Sequence, residues 1–297
     1  MSRADALPIA DDDTRTAIGC FLLAIFLFAG MDTLIKYLSA VYPVAQLMFV
    51  RSAVALVLVG GVSVARTGWS SLRTRRPLAH VGRSFAGLMS MGCFFYAFKH
   101  LPLAEVYVLS FAGPLFITAL SMPLLGEPVG WRRWAAVLVG FGGVLVMARP
   151  EAGAPILPVL VGVTAAFFYA LAMIAVRGLS RTESNTAIVA YLLLTTTVVS
   201  GSAAIPDWVS PSLFDMGLML LVGTLGGAAQ VLITQAFRLG PAAVVAPFEY
   251  TGMIWATLLG FLVFGDVPTP AVLVGAGIII ASGLYILHRE TMKRTAG

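Results

Sequence analysis

Apolar runs of about 20 residues recur along this chain from one end to the other. Ala17–Tyr37, Val44–Ala65 and Leu103–Leu125 are three of them, and about 20 residues is the helical length that crosses a hydrocarbon core. Charged residues make up only 11% of the 297, while 59% are hydrophobic; ordinary soluble domains carry roughly 25% charged residues. A soluble fold of this size cannot hide that much apolar surface. The pattern predicts an all-α integral membrane protein with spans at about 17–38, 44–65, 79–98, 103–125, 131–148, 156–176, 185–205, 213–237, 242–264 and 271–287. Pro43, Pro102, Pro128, Pro155, Pro211, Pro241 and Pro268 punctuate the boundaries, as helix starts and loops require. The first span lacks the basic start and the cleavage site of a signal peptide, so it is expected to be an uncleaved helix. Cys20 and Cys93 fall within spans and imply no disulfide framework.

The net charge of +5 would suggest nucleic acid in a soluble protein; here it reports topology, and no nucleic-acid partner is expected. With the N-terminus inside, 15 of the 19 basic residues fall on the inner side, among them Arg66, Arg73, Arg75, Arg76, Arg83, Arg132, Arg133, Arg177, Arg181 and Arg238. Only Lys99 and Arg149 fall outside, and Lys36 and Arg51 lie within spans. This excess predicts that both termini are cytoplasmic.

The chain also repeats itself. Phe98-Lys99-His100-Leu101-Pro102 matches Phe237-Arg238-Leu239-Gly240-Pro241 at an offset of 139. The same offset aligns Gly113 with Gly252 and Gly126-Glu127 with Gly265-Asp266. Earlier, Lys36-Tyr37-Leu38-Ser39 matches Arg177-Gly178-Leu179-Ser180 at 141. Five spans per half, an odd number, set the halves in opposite orientation, an arrangement found in secondary transporters. The expected organisation is a polar tail over 1–16, a first repeat over 17–149, a second, inverted repeat over 156–288 and a tail over 289–297.

Several short motifs within this frame carry a resemblance. They are Asp32-Thr33-Leu34-Ile35-Lys36-Tyr37, Arg51, Leu103-Ala104-Glu105, Pro114-Leu115-Phe116 and Gly126-Glu127-Pro128 with Trp134, Gly140 and Gly143. In the second half they are Ala246-Pro247-Phe248-Glu249-Tyr250 and Gly265-Asp266. In order and spacing, from Ala17 to Leu287, the chain resembles the EamA-type transporters of the drug/metabolite transporter superfamily. That resemblance implies ten helices around a central cavity and alternating access for small metabolites, in a bacterial inner membrane. Within the family the chain is most similar to the branch of S-adenosylmethionine and riboflavin carriers; amino-acid exporters share the frame. The halves are not equivalent: Leu192 stands where Arg51 would be matched, and Val244 where Glu105 would be.

Charges within hydrocarbon are costly and mark function or pairing. Asp32 lies six residues from the end of its span, roughly 9 Å deep, and Arg51 reaches a similar depth on the next helix. Asp32 and Lys36 are i,i+4 neighbours. These three are expected either as a structural ion cluster or as a substrate or gate cluster. Glu249, close behind Pro247, has no basic residue in its own span to pair with, and is a candidate for substrate contact or proton coupling, with Arg51 or Arg238 as the structural alternative. Glu105 starts a span beside Lys99 and His100, where a helix N-terminus favours a carboxylate. It is grouped with Lys99 and Arg177 as gate or structural residues. Glu127 and Asp266 precede helices and are expected as caps. Tyr96, Tyr107, Ser110, Tyr169, Gln230, Gln235, Tyr250 and Trp255 are candidates to line a cavity. Met31, Met89, Met91 and Met173 are expected as packing. The span glycines Gly140, Gly142, Gly143, Gly275, Gly277 and Gly283 favour close helix packing, within a monomer or in a homodimer.

The chain has no G-x-x-x-x-G-K-[ST] loop and is expected not to hydrolyse ATP by that route. No H-E-x-x-H occurs, and His80, His100 and His288 all lie near span ends. No catalytic residue, metal or cofactor is expected; an intramembrane enzyme is the distant alternative. The reading is a secondary transporter of a small polar metabolite that is amino-acid-like, S-adenosylmethionine-like or riboflavin-like. It would be proton-coupled or an exchanger, with export of amino acids or toxic metabolites on the same fold as the alternative.

Overall fold

The computed structural model describes residues 11–62, 68, 72–125, 130–147, 156–179, 182–239 and 246–295. The described elements are helical. They are α1 (Asp11–Leu38), α2 (Val44–Ala55, continued by a π-helical turn, Leu56–Gly60) and α3 (Pro77–His100). Next come α4, in two pieces (Leu103–Ser110 and Gly113–Leu125), α5 (Trp131–Met147), α6 (Ile156–Leu179) and α7 (Asn185–Ala204). The remainder are α8 (Leu213–Leu239), α9, which opens as a 3-10 turn (Ala246–Thr251) before Gly252–Phe264, and α10 (Pro270–Thr295). Five of them contain segments long and apolar enough to cross a membrane, and four shorter apolar helices accompany them. Their outward faces carry large apolar side chains: Val57 is 72% exposed, Leu138 68% and Leu262 66%. Leu103, Val106, Leu109, Leu115 and Ile279 lie in the interior.

Local chemistry explains the boundaries. Pro77 sits at the start of α3 and Pro102 immediately before α4, where a missing N–H costs nothing. Ser184 caps α7 by accepting from the Ala187 N–H at 3.0 Å. Thr269, not Asp266, caps α10, its hydroxyl accepting from Val272 N–H at 3.3 Å; this corrects the capping expectation for Asp266. The end of α9 is closed by Gly265 at φ 72, and Asp266 N–H then reaches back to Gly260 O at 3.1 Å, the close of a left-handed helix cap. That turn aims Asp266 back across the bundle. Glu127, Arg149 and the side chains of Arg177 and Arg238 lie outside the described residues.

Two expected spans are interrupted. The run 103–125 breaks at Phe111–Ala112, and the run 242–264, described from Ala246, is a 3-10 turn through Thr251 and α-helical from Gly252. The breaks fall 139 residues apart, the offset of the repeat. At Pro114 the chain has no N–H to continue the helical ladder.

The packing also pairs the halves. Helix α1 lies along α8 as α6 lies along α3; α2 meets α8 as α7 meets α3; α1 meets α9 as α6 meets α4. The partners α5 with α10 and α2 with α7 pack against each other directly. Where α5 and α10 cross, a Cβ on Gly275 would stand 2.7 Å from Gly143 O, and one on Gly143 would stand 2.9 Å from Gly275 O. Gly140 and Gly283 are likewise filled, by Leu115 and Tyr250, whereas Gly142 and Gly277 face open space.

Candidate functional site

A cavity of about 360 Å³ lies in the middle of this bundle. Helices α1, α2, α3, α4, α6, α7, α8 and α9 all contribute to its wall. Of the residues singled out in the sequence, Asp32, Arg51, Tyr107, Ser110, Tyr169, Gln230 and Glu249 line it.

The Tyr107 hydroxyl donates to Asp32 Oδ2 at 2.8 Å, so this carboxylate is held across α1 and α4. Arg51 sits beside it within electrostatic reach, but no described carboxylate comes within 4.0 Å of its guanidinium. Its N–H groups instead point at two thioethers, Nε to Met31 Sδ at 3.4 Å and Nη1 to Met91 Sδ at 3.2 Å. Methionine sulfur is a weak acceptor, so Arg51 keeps most of its hydrogen-bonding capacity for something else. Met31 and Met91, expected as packing, thereby also steer the arginine.

The two helix breaks shape the opposite walls. A Cβ on Gly113 would stand 2.9 Å from the Tyr169 ring, and a Cβ on Gly252 would stand 2.9 Å from the Tyr107 ring. Each interrupted helix therefore yields a glycine at the place where a tyrosine ring passes. Glu249 lies in the 3-10 turn three residues before Gly252. It faces the cavity within electrostatic reach of Tyr169 and Tyr250, and makes no hydrogen bond or ion pair with a described residue.

Other candidates are placed elsewhere. Lys36 turns away from Asp32 and from the cavity. Its ammonium donates to Asp266 Oδ2 at 3.0 Å and to Leu101 O at 2.7 Å, and lies 4.9 Å from the centre of the Phe264 ring. Asp32 and Lys36 thus share a helix but not a cluster: Asp32 is satisfied by Tyr107, while Lys36, one turn nearer the helix end, reaches Asp266 and Leu101. Tyr96 stacks on His100 at 4.2 Å, Tyr250 meets the edge of Phe111 at 5.0 Å, and Trp255 meets Phe26 at 4.9 Å. Gln235 and Lys99 are exposed, and Glu105 is half-buried in the first turn of α4.

Arg83 is a charged lining residue that the sequence reading missed. Counted there with the basic residues of the inner side, it is six residues into α3, 7% exposed, and on the cavity wall. Its Nε and Nη1 have no hydrogen-bond partner among the described residues. One signal was available: Gly87, one turn later on the same face, leaves a groove along which a long side chain can run. Ser90 and Met173 also line the cavity.

A second polar cluster sits where α3 and α7 begin. His80 is 2% exposed, with Nε2 3.6 Å from Glu183 Oε2 and its ring 4.6 Å from that of Tyr191. Burial pushes the Glu183 carboxyl up, but the Arg75 N–H at 3.2 Å, the Thr74 hydroxyl and His80 outweigh it and hold the group below the ordinary carboxylate range. The cluster ties the loops before α3 and α7 together. Among the described residues no three His, Cys, Asp or Glu side chains converge as a metal site.

Known proteins resemble this chain along nearly its whole length. A solved crystal structure, 19% identical, superposes with a TM-score of 0.65 over 95% of this chain and 99% of its own; at that identity the likeness is one of fold. The S-adenosylmethionine uptake transporter of Rickettsia bellii is 30% identical, covering 92% of this chain and 94% of its own. The pseudopaline exporter of Pseudomonas aeruginosa is 31% identical over 94% and 98%. The riboflavin transporter of Vibrio cholerae is 33% identical over 90% and 91%. Residues 15–149 and 156–287 each match the EamA-like transporter family, and the chain belongs to that family of membrane transporters.

Proposed function

We propose that the chain is a secondary transporter that carries a small polar metabolite through the central cavity by alternating access. The observation that carries this reading is the cavity itself. Asp32, Arg51, Arg83 and Glu249 all project into one chamber between apolar helices. Charges are not kept at such depth unless a partner or a ligand meets them. The paired packing of the halves and the two helix breaks at corresponding places support a pair of inverted five-helix repeats, with the site between them. The excess of basic residues in one set of loops supports cytoplasmic termini and an inner-membrane location.

The relatives' named cargoes, S-adenosylmethionine, pseudopaline and riboflavin, differ in chemistry but agree in size class and polarity. Such a substrate would lie between the tyrosines of α4 and α6, with Asp32 and Arg51 at one side and Glu249 at the other. Glu249, with no fixed partner, is the group best placed to couple substrate to protons, or to bind a cationic group of the substrate.

Flux of radiolabelled metabolites in proteoliposomes, with and without an imposed proton gradient, tests the reading. Glu249→Gln is expected to abolish or uncouple transport. Wild-type flux with unchanged pH dependence in that variant would remove Glu249 from the mechanism. Right-side-out and inside-out vesicles separate uptake from export, the direction in which the relatives themselves differ.

A further inference from the structure

We propose that Arg83 anchors the carboxylate of a zwitterionic substrate whose cationic group lies toward Glu249; this rests on the reading of the cavity as a carrier site.

The first observation is the state of Arg83. A guanidinium 93% removed from solvent, on the cavity wall, with Nε and Nη1 unpartnered among the described residues, is an arrangement that folding alone disfavours, since breaking or omitting the partner of a buried charge is strongly destabilising. An anion arriving in the cavity supplies what is missing. The planar fork of arginine matches a carboxylate through two parallel hydrogen bonds.

The second observation is how the chain makes room for it. A Cβ on Gly87 would stand 3.2 Å from Arg83 Nη1 and 2.7 Å from Leu192 Cδ1. On the other half, a Cβ on Gly226 would stand 3.4 Å from Arg51 Nε and 3.5 Å from Arg51 Nη2. Gly87 and Gly226 are separated by 139 residues, the offset of the repeat. Each half therefore presents a glycine of its third helix to a guanidinium. Leu192 occupies the position matched to Arg51, so the second half has no arginine of its own there. Arg83 supplies the charge from α3 instead. The cavity gains a second cationic pole at a place related to the first.

The third observation is that the poles are not alike. Arg51 has Asp32 as an electrostatic neighbour, and Asp32 has the Tyr107 hydroxyl. Arg83 and Glu249 form no ion pair with each other, and neither pairs with another described residue. One cation and one anion are thus left uncommitted in the same chamber. A ligand with a carboxylate and a separate cationic centre answers both; a neutral ligand answers neither.

The test uses the purified full-length protein and thermal-shift titrations with matched probes. These are S-adenosylmethionine against its decarboxylated form, L-methionine against L-methioninamide, and riboflavin alone. A ligand that binds only the native state raises the melting temperature by mass action. The expected result is that the carboxylated member of a pair binds at least tenfold tighter than its counterpart. Arg83→Gln should lower that ratio to within about twofold, by weakening the carboxylated probe alone. Arg83→Lys, which keeps the charge but loses the fork, should fall between. Equal binding of both members by the wild type overturns the assignment without needing any variant. So does equal weakening of both by Arg83→Gln, and so does riboflavin as the sole binder; each of these leaves the carrier reading standing. Binding of no probe rejects the polar-metabolite reading, and the assignment with it.

Discussion

The bridge from Lys36 to Asp266 and Leu101 joins the end of α1, the turn between α3 and α4, and the turn after α9, and in the proposed alternating access it would break for that end of the bundle to open. Asp266→Asn keeps the shape and removes the charge. The ammonium–carboxylate contact is 3.0 Å long, and the two side chains are 15% and 28% exposed. Hydrogen bonds to charged groups contribute about 1.5–3 kcal/mol; the exposed edge of Asp266 argues for the lower end, about 1.5 kcal/mol. If the bond exists only while this end is closed, its loss moves the equilibrium toward opening by about tenfold. The assay is thiol labelling of Ser110→Cys, on the cavity wall, in a background with Cys20 and Cys93 replaced by serine. An impermeant maleimide is added from the side on which Leu38 and Leu101 lie, the exterior in the proposed orientation. Labelling should accelerate about tenfold in Asp266→Asn, and as much or more in Lys36→Met. A lowered melting temperature with unchanged labelling would show that the bridge merely braces the fold, and would refute its assignment as a gate.

Four further substitutions have outcomes that follow from the structure. Gly275→Ala puts a methyl against the backbone of α5, which cannot yield, so about 1–3 kcal/mol of stability should be lost and the melting temperature should fall. Gly277→Ala on the same helix meets nothing within 4 Å and should be neutral or slightly stabilising. Tyr107→Phe deletes the donor to Asp32, and should weaken substrate binding about tenfold, measured by the same titrations, if Asp32 must stay fixed; unchanged affinity would make the bond structural. Glu183 is held below its ordinary range, so the stability it contributes is present above about pH 4.5 and is lost as pH falls through its folded-state value. Glu183→Gln should therefore lower the melting temperature at pH 7 and flatten its decline in acid.

Much of this frame is legible in the sequence because membrane helices obey few rules. Length and hydropathy locate them, and prolines bound them. The expected depth of Asp32 and Arg51 is a count from the span ends at the fixed rise of an α-helix, and that count does not carry over to Glu249 in its 3-10 turn. What counting along the chain cannot supply is the partner. Lys36 is four residues from Asp32 but binds Asp266, 230 residues on. The choice depends on Tyr107 having already engaged Asp32, and on where the cap at Gly265 aims the following residue. Aromatic candidates divide for the same reason. Tyr107 and Tyr169 pass glycines at the helix breaks, whereas Tyr96 and Trp255 find rings of their own. The breaks were foreshadowed by Gly113-Pro114 and Pro247, but whether a proline kinks a helix or ends it depends on what fills the gap.

Arg83 shows most clearly where a charge rule and a burial rule diverge. Counting basic residues assigns it to the inner side by its place in the chain, and the orientation inferred from the other basic residues does not depend on it. Yet the same residue lies on the cavity wall, because Gly87 leaves a groove along α3 and Leu192 leaves α7 without a competing charge. A repeated fold gives two equivalent places for a guanidinium; divergence between the halves decides which helix fills each. Symmetric halves permit two mirrored gates, while asymmetric charges give the chamber a direction in which a substrate can be held. In the proposed transport cycle the paired packing of the helices would serve the first property, and Arg51, Arg83, Asp32 and Glu249 would serve the second.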